Sequence, residues 1–184
     1  LARYNEAHTV TERILPGALL LQAAALATRQ FPQLNSLWSQ DGPHSAPDVH
    51  LGVAIALRGG GLVAPAIHRA DTLALPELMQ KLQDLVSRAR AGSLRSSELS
   101  DGTITVTSLG ERGVESVLPI IYAPQTAIVG FGRVVERPWV VSSQLAVRPV
   151  VTATLAADHR VTDGHLGARF LSTIDELLQH PENL

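Results

Sequence analysis

The sequence predicts an α+β domain in which helices cover a mixed β-sheet. The predicted strands occur in groups between helices and do not alternate strictly with them, which favours this class over a parallel α/β fold. No internal repeat, low-complexity segment or linker interrupts the 184 residues. A chain of this length can bury roughly two-thirds of its unfolded surface, so it needs no disulfide or metal to fold. We therefore expect residues 1–184 to form one domain.

The composition excludes several classes of function. There is no cysteine, which excludes disulfides and thiolate zinc sites and fits a cytoplasmic protein. The net charge of -2 and the 4% aromatic content indicate neither a basic nucleic-acid surface nor a platform for base stacking. No apolar run reaches the roughly 18 residues that a membrane span requires. We therefore expect no nucleic-acid and no membrane partner.

The first half of the chain predicts two helices followed by strands. Pro16 suits the first turn of an apolar helix, and residues 48–57 alternate as a strand with small residues on one face. Pro65 places the returning strand at a sheet edge or bulge. The predicted elements are, in order, a helix around 2–7, a helix over 17–30, a short strand over 36–40, a loop over 41–47, a strand over 48–57, a turn at 59–61 and a strand over 62–67.

The second half contains the clearest helical pattern in the sequence. Apolar residues recur three and four positions apart over residues 75–90, and Gly92 suits the helix exit. The strand over 102–108 places apolar residues on one face and three threonines on the other. The remaining predicted elements are a helical turn at 96–99, a loop over 109–113, strands over 126–135 and 144–157 joined by a polar turn around Ser142 and Ser143, and a helix over 163–179.

A histidine lies where the last strand meets the last helix. His159 follows the strand directly, and Asp163 suits the N-cap of the helix. A neutral imidazole at a strand end can accept a proton near neutral pH, and a thiol is a suitable donor because its unperturbed pKa is only about two units higher. The residues alone leave open an ordinary surface or core histidine, a purely capping Asp163, and a metal site made by Asp158, His159, Asp163 and His165.

Four segments resemble, in the same order, the catalytic domains of the dihydrolipoyl acyltransferases. Residues 157–164 are similar to the His-x-x-x-Asp-Gly signature of that family, and residues 102–110 to its Gly-Thr-Phe-Thr-Ile-Ser-Asn-Leu-Gly strand. Residues 61–67 are similar to its Gly-Leu-x-x-Pro-x-Ile segment, and residues 119–128 to its Pro-Ile-Ile-Asn-Pro-Pro-Gln-x-Ala-Ile segment. These enzymes form the core of 2-oxo acid dehydrogenase complexes. The resemblance implies their chloramphenicol acetyltransferase-like fold.

The resemblance also implies that the protein moves an acyl group between dihydrolipoamide and coenzyme A. His159 would be the general base, and the Thr107 hydroxyl would stabilise the oxyanion. Asp163 would support the local turn by pairing with an arginine, and Ser108 is a candidate contact for coenzyme A. We expect no resident metal. Coenzyme A would be a substrate, and the lipoyl group would come from a domain outside this chain, since the single lysine, Lys81, falls within a predicted helix.

In the family the active site lies between the subunits of a homotrimer. The resemblance therefore implies that His159 of one chain meets Thr107 of its neighbour. Trimers would assemble into a cubic or dodecahedral shell, which binds decarboxylase and dihydrolipoyl dehydrogenase components through further domains. The family's catalytic domain begins earlier than Leu1, so we expect this chain to be part of a longer protein, with no lipoyl or peripheral-subunit-binding domain in residues 1–184.

The acyl group is suggested by residues 157–160, Ala-Asp-His-Arg. This sequence is similar to the branched-chain members of the family and favours a 2-methylpropanoyl group. Acetyl and succinyl transfer remain alternatives. A free-standing acetyltransferase acting on a small hydroxylated acceptor and a largely structural scaffold are two further alternatives.

Overall fold

The computed structural model describes residues 1–9, 12–110 and 113–184. Positions 111 and 112 of the predicted loop 109–113 lie outside these ranges. The α-helices are α1 Ala2–Glu6, α2 Pro16–Gln30, α3 Leu75–Ala91, α4 Ser96–Ser100 and α5 Gly164–Gln179. The strands are β1 Ser36–Ser39, β2 Gly42–Ser45, β3 Leu51–Val53, β4 Ile55–Ala56, β5 Leu62–Val63, β6 Ala66–Ile67, β7 Ile104–Ser108, β8 Ala127–Phe131, β9 Val135–Val141, β10 Gln144–Val150 and β11 Ala153–Ala157.

A five-stranded mixed sheet lies at the centre of the fold. Its strand order is β11-β8-β7-β3-β6. Strands β3, β7 and β8 are parallel, whereas β6 and β11 are antiparallel to their neighbours at the two edges. The predicted mixed sheet covered by helices is therefore confirmed. Pro65 directly precedes the edge strand β6, which is the position predicted for it.

Helices α2, α3 and α5 pack with the sheet into one hydrophobic core. Helix α2 buries five alanines, which allow close packing. Just beyond its end the Phe31 ring meets Phe170 of α5 edge to face, with ring centroids 5.6 Å apart. Helix α3 ends at Gly92, whose left-handed backbone (φ 68°) lets its N–H bond to the last turn. No helix in the described ranges is long and apolar enough to cross a membrane.

Two threonine hydroxyls, one just before β7 and one within it, form hydrogen bonds inside the protein on the face away from Ile104 and Val106. Thr103 Oγ1 donates to Asn35 Oδ1 and Thr105 Oγ1 donates to Gln125 Oε1, both at 2.6 Å. The neighbouring strand β3 requires a glycine at position 52, because a Cβ there would lie 2.6 Å from Thr105 Oγ1. The small-residue face predicted for residues 48–57 therefore serves close packing against β7.

The predicted strand 48–57 bends in the structure. Its first part is β3 in the main sheet, and after Ala54 the chain leaves that sheet as β4 to pair with β5. The turn between β4 and β5 contains three consecutive glycines, Gly59 to Gly61, which all have positive φ. The predicted loop 41–47 is wrong, because residues 42–45 form β2 and pair with β1 as a hairpin. Glycine and proline are typical of loops, so the composition of this segment did not indicate the exposed strand β2.

The predicted strand 144–157 is two strands, β10 and β11, and the predicted strand 126–135 contains β8 and only the first residue of β9, which continues to Val141. Strands β8 and β11 pair in the main sheet, whereas β9 and β10 form a separate hairpin. Ser142 and Ser143 make its turn with φ of 50° and 62°, the left-handed geometry of a tight hairpin turn. The polar turn predicted at these two serines is therefore confirmed, although it joins different strands.

Candidate functional site

His159 lies in a tight turn between β11 and α5. The preceding residue is still bonded to the sheet, because the Asp158 N–H donates to the Thr126 carbonyl at 2.8 Å. The Asp158 carbonyl then accepts from the N–H groups of Val161 and Thr162 at 3.0 and 3.2 Å. The His159 side chain is exposed, and its ring nitrogens have no hydrogen-bond partner in the described part of the chain. The imidazole is thus accessible on a well-anchored backbone.

Arg160 binds the carboxylate of Asp158, on the other side of His159 in sequence. Its Nε and Nη2 donate to the carboxylate at 2.9 and 2.6 Å, and its backbone N–H donates at 3.0 Å. These hydrogen bonds lower the pKa of Asp158 to about 2. The guanidinium also lies over the Trp38 ring, 3.4 Å from the ring centroid. Asp158 is thus paired with the Arg160 guanidinium. Within the described ranges, no cluster of three or more His, Asp or Glu residues could hold a metal ion.

Asp163 caps the N-terminus of α5. Its backbone is extended, and its Oδ1 accepts from the Leu166 N–H at 2.8 Å. This hydrogen bond is the main cause that lowers the pKa of Asp163. The predicted arginine partner of Asp163 is not found among the described residues, where Arg160 binds Asp158 instead. Any support that Asp163 gives to the turn therefore comes through the helix cap.

Thr107 and Ser108 end strand β7. Whereas Thr103 and Thr105 bond within the protein, the half-buried Thr107 hydroxyl has no hydrogen-bond partner in the described ranges. Ser108 is exposed, and its hydroxyl accepts a long bond of 3.4 Å from the Gly110 N–H. The last two hydroxyls of β7 are therefore available to a ligand or to another chain.

The register of the sheet places His159 and Thr107 at opposite ends. Thr107 is level with Gly130 of β8, which in turn is level with Thr154 of β11. Asp158 lies four residues beyond Thr154, or ~13 Å along the strand, and two strand spacings add roughly 9–10 Å across the sheet. The backbones of His159 and Thr107 are therefore about 15 Å or more apart. Their side chains cannot meet within one chain.

Two exposed apolar surfaces were not evident from the sequence. The segment before β8 exposes Leu118 and Ile120, whose relative accessibilities are 86% and 88%. The β9–β10 hairpin exposes Val140, Leu145 and Val147. Contiguous exposed apolar groups mark surfaces that contact other molecules. Periodicity could not reveal them, since it shows which residues share a face and not whether that face is covered.

The sequence of this chain matches the family described as 2-oxoacid dehydrogenases acyltransferase (catalytic domain) over residues 1–184. It is 35% identical to the dihydrolipoyllysine-residue acetyltransferase component of the acetoin cleaving system of Bacillus subtilis, covering 99% of this chain and 44% of the relative. It is 37% identical to the lipoamide acyltransferase component of the branched-chain alpha-keto acid dehydrogenase complex of Pseudomonas aeruginosa, covering 90% and 39%. The chain spans less than half of the length of these two relatives.

Solved structures share the same fold. A probable dihydrolipoamide acetyltransferase from Listeria monocytogenes superposes with a TM-score of 0.90 at 32% identity, over 97% of this chain and 79% of that one. The Azotobacter vinelandii dihydrolipoamide acetyltransferase and the cubic core of a pyruvate dehydrogenase multienzyme complex each give 0.85 at 28%, over 96% and 72%. Chloramphenicol acetyltransferase shares the fold alone (0.59 at 15%, over 88% and 77%), as predicted. The chain therefore belongs to the family of 2-oxoacid dehydrogenase acyltransferase catalytic domains.

Proposed function

We propose that the protein transfers an acyl group between dihydrolipoamide and coenzyme A as the catalytic core of a 2-oxo acid dehydrogenase complex. The observation that carries this proposal is the His159 imidazole, which is exposed, without a hydrogen-bond partner among the described residues, and attached to a turn anchored at both ends. Such a group can take a proton from a bound thiol near neutral pH.

The spacing of the candidate residues supports this proposal. In the Azotobacter vinelandii enzyme, the serine and the histidine whose role in catalysis was investigated are 52 residues apart, and the asparagine follows the histidine by four. Thr107, His159 and Asp163 have the same spacing in this chain. By this spacing Thr107 corresponds to the serine, which also carries a hydroxyl, and Asp163 corresponds to the asparagine. Aspartate and asparagine are both good N-cap residues, which fits the observed cap of α5.

The proposed chemistry requires one base and one hydrogen-bond donor. His159 removes the proton from the attacking thiol, whose sulfur adds to the carbonyl carbon of the partner thioester. The Thr107 hydroxyl donates a hydrogen bond to the oxyanion of the tetrahedral intermediate, a contact typically worth ~3–4 kcal/mol in the barrier. As the intermediate collapses, the original carbon–sulfur bond breaks and His159 returns the proton to the leaving thiolate. Asp163 supports the turn, and Ser108 is the proposed contact for coenzyme A.

We infer that a second copy of the chain completes each site. The sheet register separates His159 from Thr107 within one chain, so the hydroxyl that serves His159 must come from a neighbour. The apolar surfaces at Leu118, Ile120 and the β9–β10 hairpin offer contacts for that neighbour. A cyclic homotrimer, assembling further into a cubic or dodecahedral shell, satisfies both requirements, and the structural similarity to a cubic core supports it.

The acyl group and the remaining components are also proposals. Residues 157–160 favour a 2-methylpropanoyl group, with acetyl and succinyl groups as the alternatives, and the relatives include both acetyl and branched-chain types. Residues 1–184 would be a single catalytic domain. The lipoyl group and the attachment of the decarboxylase and dihydrolipoyl dehydrogenase components would reside in other domains, and the complex would be cytoplasmic.

A direct assay tests the proposed activity. Acyl transfer to dihydrolipoamide is measured with 2-methylpropanoyl-, acetyl- and succinyl-coenzyme A, and the fastest donor identifies the acyl group. His159→Ala should lower kcat/KM by ~10²-fold or more, because general-base catalysis contributes this much. His165→Ala, which removes an exposed histidine from the same motif, is the matched control and should stay within about threefold of the wild type. A loss of less than about tenfold in His159→Ala would refute the general-base role.

A further inference from the structure

We propose that Trp38 is a positioning residue for the catalytic turn. The Trp38 ring holds the Arg160 guanidinium, Arg160 holds the Asp158 carboxylate, and His159 is fixed between these two residues. This inference rests on the proposed role of His159 as the general base. It assigns a function in catalysis to the β1–β2 hairpin, which is more than one hundred residues away in sequence.

Trp38 is itself firmly placed. Its backbone N–H donates to the Pro124 carbonyl at 2.7 Å, and it lies opposite Pro43 in the β1–β2 hairpin. The preceding residue, Leu37, forms a bridge with Gln125. The half-buried indole thus belongs to a backbone that is bonded on both sides. It can serve as a fixed platform for a more mobile side chain.

Arg160 needs such a platform. Its side chain is 60% exposed, and an exposed arginine has many rotamers to choose from. A guanidinium is planar, so it can stack on an aromatic face while its edge donates to a carboxylate. The Asp158 carboxylate, only 21% exposed, receives that edge. The stack therefore favours the one arrangement of Arg160 that closes the turn around His159.

The expected consequence is a loss of turnover without a loss of binding. A displacement of the general base by about 1 Å can cost up to ~10²-fold in rate, so a loosened turn should lower kcat by roughly tenfold. The KM for each substrate should stay within about twofold, because Trp38 acts through Arg160 and not on the substrate.

The experiment compares substitutions that differ in one property. Trp38→Leu keeps an apolar side chain and loses the π face, and it should lower kcat by roughly tenfold, whereas Trp38→Phe keeps a π face and should stay within about threefold. Arg160→Lys, which keeps the charge and loses the planar fork, should fall as far as Trp38→Leu. The double variant should lose no more than the worse single variant, as expected for residues that act as a unit. The matched control is Arg169→Gln, since Arg169 lies over Phe31 at 5.7 Å, away from the turn.

The outcomes separate this inference from the proposed function. Wild-type kcat in Trp38→Leu with an inactive His159→Ala overturns the positioning role and leaves the proposed function intact. An active His159→Ala overturns the proposed function itself. A raised KM with unchanged kcat also overturns the positioning role, because it indicates direct contact with a substrate. If Trp38→Leu does not fold, Arg160→Lys is the deciding variant, because it changes an exposed side chain. A wild-type kcat in Arg160→Lys would then overturn the inference.

Discussion

At the scale of single residues, the threonine that precedes β7, Thr103, and the two within it, Thr105 and Thr107, differ in their hydrogen bonding. Thr103 and Thr105 bond to Asn35 and Gln125, whereas Thr107 has no hydrogen-bond partner among the described residues. Strand alternation predicts that all three share a face. It could not predict which hydroxyls are satisfied, because the acceptors come from distant parts of the chain. The resemblance alone singled out Thr107, and the hydrogen bonding is consistent with that choice.

Replacing Thr107 should impair catalysis more than folding. Thr107→Val removes the hydroxyl and should lower kcat by ~10²–10³-fold, because it removes the proposed oxyanion donor. Thr107→Ser keeps the hydroxyl and should retain most of the activity. Thr105→Val is the control, since it removes the donor to the buried Gln125 Oε1 and should cost about 1–3 kcal/mol of stability. Full activity of Thr107→Val would exclude the hydroxyl from the mechanism. Steady-state kinetics and urea unfolding measure the two effects.

Only the part of the candidate site that depends on local sequence could be predicted. His159 and Asp163 lie in one motif, and both the strand end and the helix cap follow from local sequence. The contact between Trp38 and Arg160 joins two segments that meet only through the tertiary fold. No periodicity or spacing in a single sequence indicates such a pair.

At the scale of elements, the helices were easier to predict than the strands. Helix α3 has an apolar stripe and a C-terminal glycine, and its predicted bounds of 75–90 differ from the structure by one residue. The β9–β10 hairpin is exposed on both faces, so burial imposes no pattern on its sequence. The strand 48–57 bends because β4 pairs with β5 and not with the main sheet. Strand bounds depend on pairing partners, which the local sequence does not contain.

A partly buried ion pair links α4 to α3. Arg88 donates two hydrogen bonds of 2.6 Å to the Glu98 carboxylate and a third, of 2.8 Å, to Asp84. Glu98 is only 7% exposed. The hydrogen bonds from Arg88 lower the pKa of Glu98 from 4.5 to about 2. Because the pKa is lower in the folded state, the ionised pair stabilises the fold above pH 4.5, and this stabilisation is lost as the pH falls towards 2.

Glu98→Gln should therefore reduce stability in a pH-dependent way. At pH 7 we expect a loss of about 2–4 kcal/mol, because Arg88 loses its buried partner. The difference from the wild type should shrink as the pH falls below 4.5, where the unfolded carboxylate becomes protonated. Glu77→Gln is the control, since Glu77 forms an exposed pair with Lys81 at 3.6 Å and should cost only ~0–0.5 kcal/mol. Urea unfolding over a pH series measures both. Equal losses of stability in the two variants at pH 7 would show that the Arg88–Glu98 pair contributes no more than an exposed ion pair.

At the scale of the whole molecule, one chain carries the two groups of the proposed site, His159 and Thr107, too far apart to act together. The fold class and the family follow from the sequence, and the structure confirms the sheet that both groups flank. The separation of His159 from Thr107 required the strand register, since it depends on β7 and β11 running in opposite directions on either side of β8. The exposed apolar surfaces at Leu118, Ile120 and the β9–β10 hairpin are the second feature that a single chain leaves unexplained. The proposed closed assembly of identical subunits would explain both.

Complementation between two inactive variants tests the shared site most directly. His159→Ala and Thr107→Val chains are unfolded, mixed in equal amounts and refolded together, and each variant refolded alone is the control. In a cyclic assembly with random mixing, about one interface in four pairs an intact His159 with an intact Thr107, so the mixture should recover about a quarter of the wild-type kcat per site. Activity no greater than the mean of the two variants would show that both residues serve the same chain, and it would contradict the shared site.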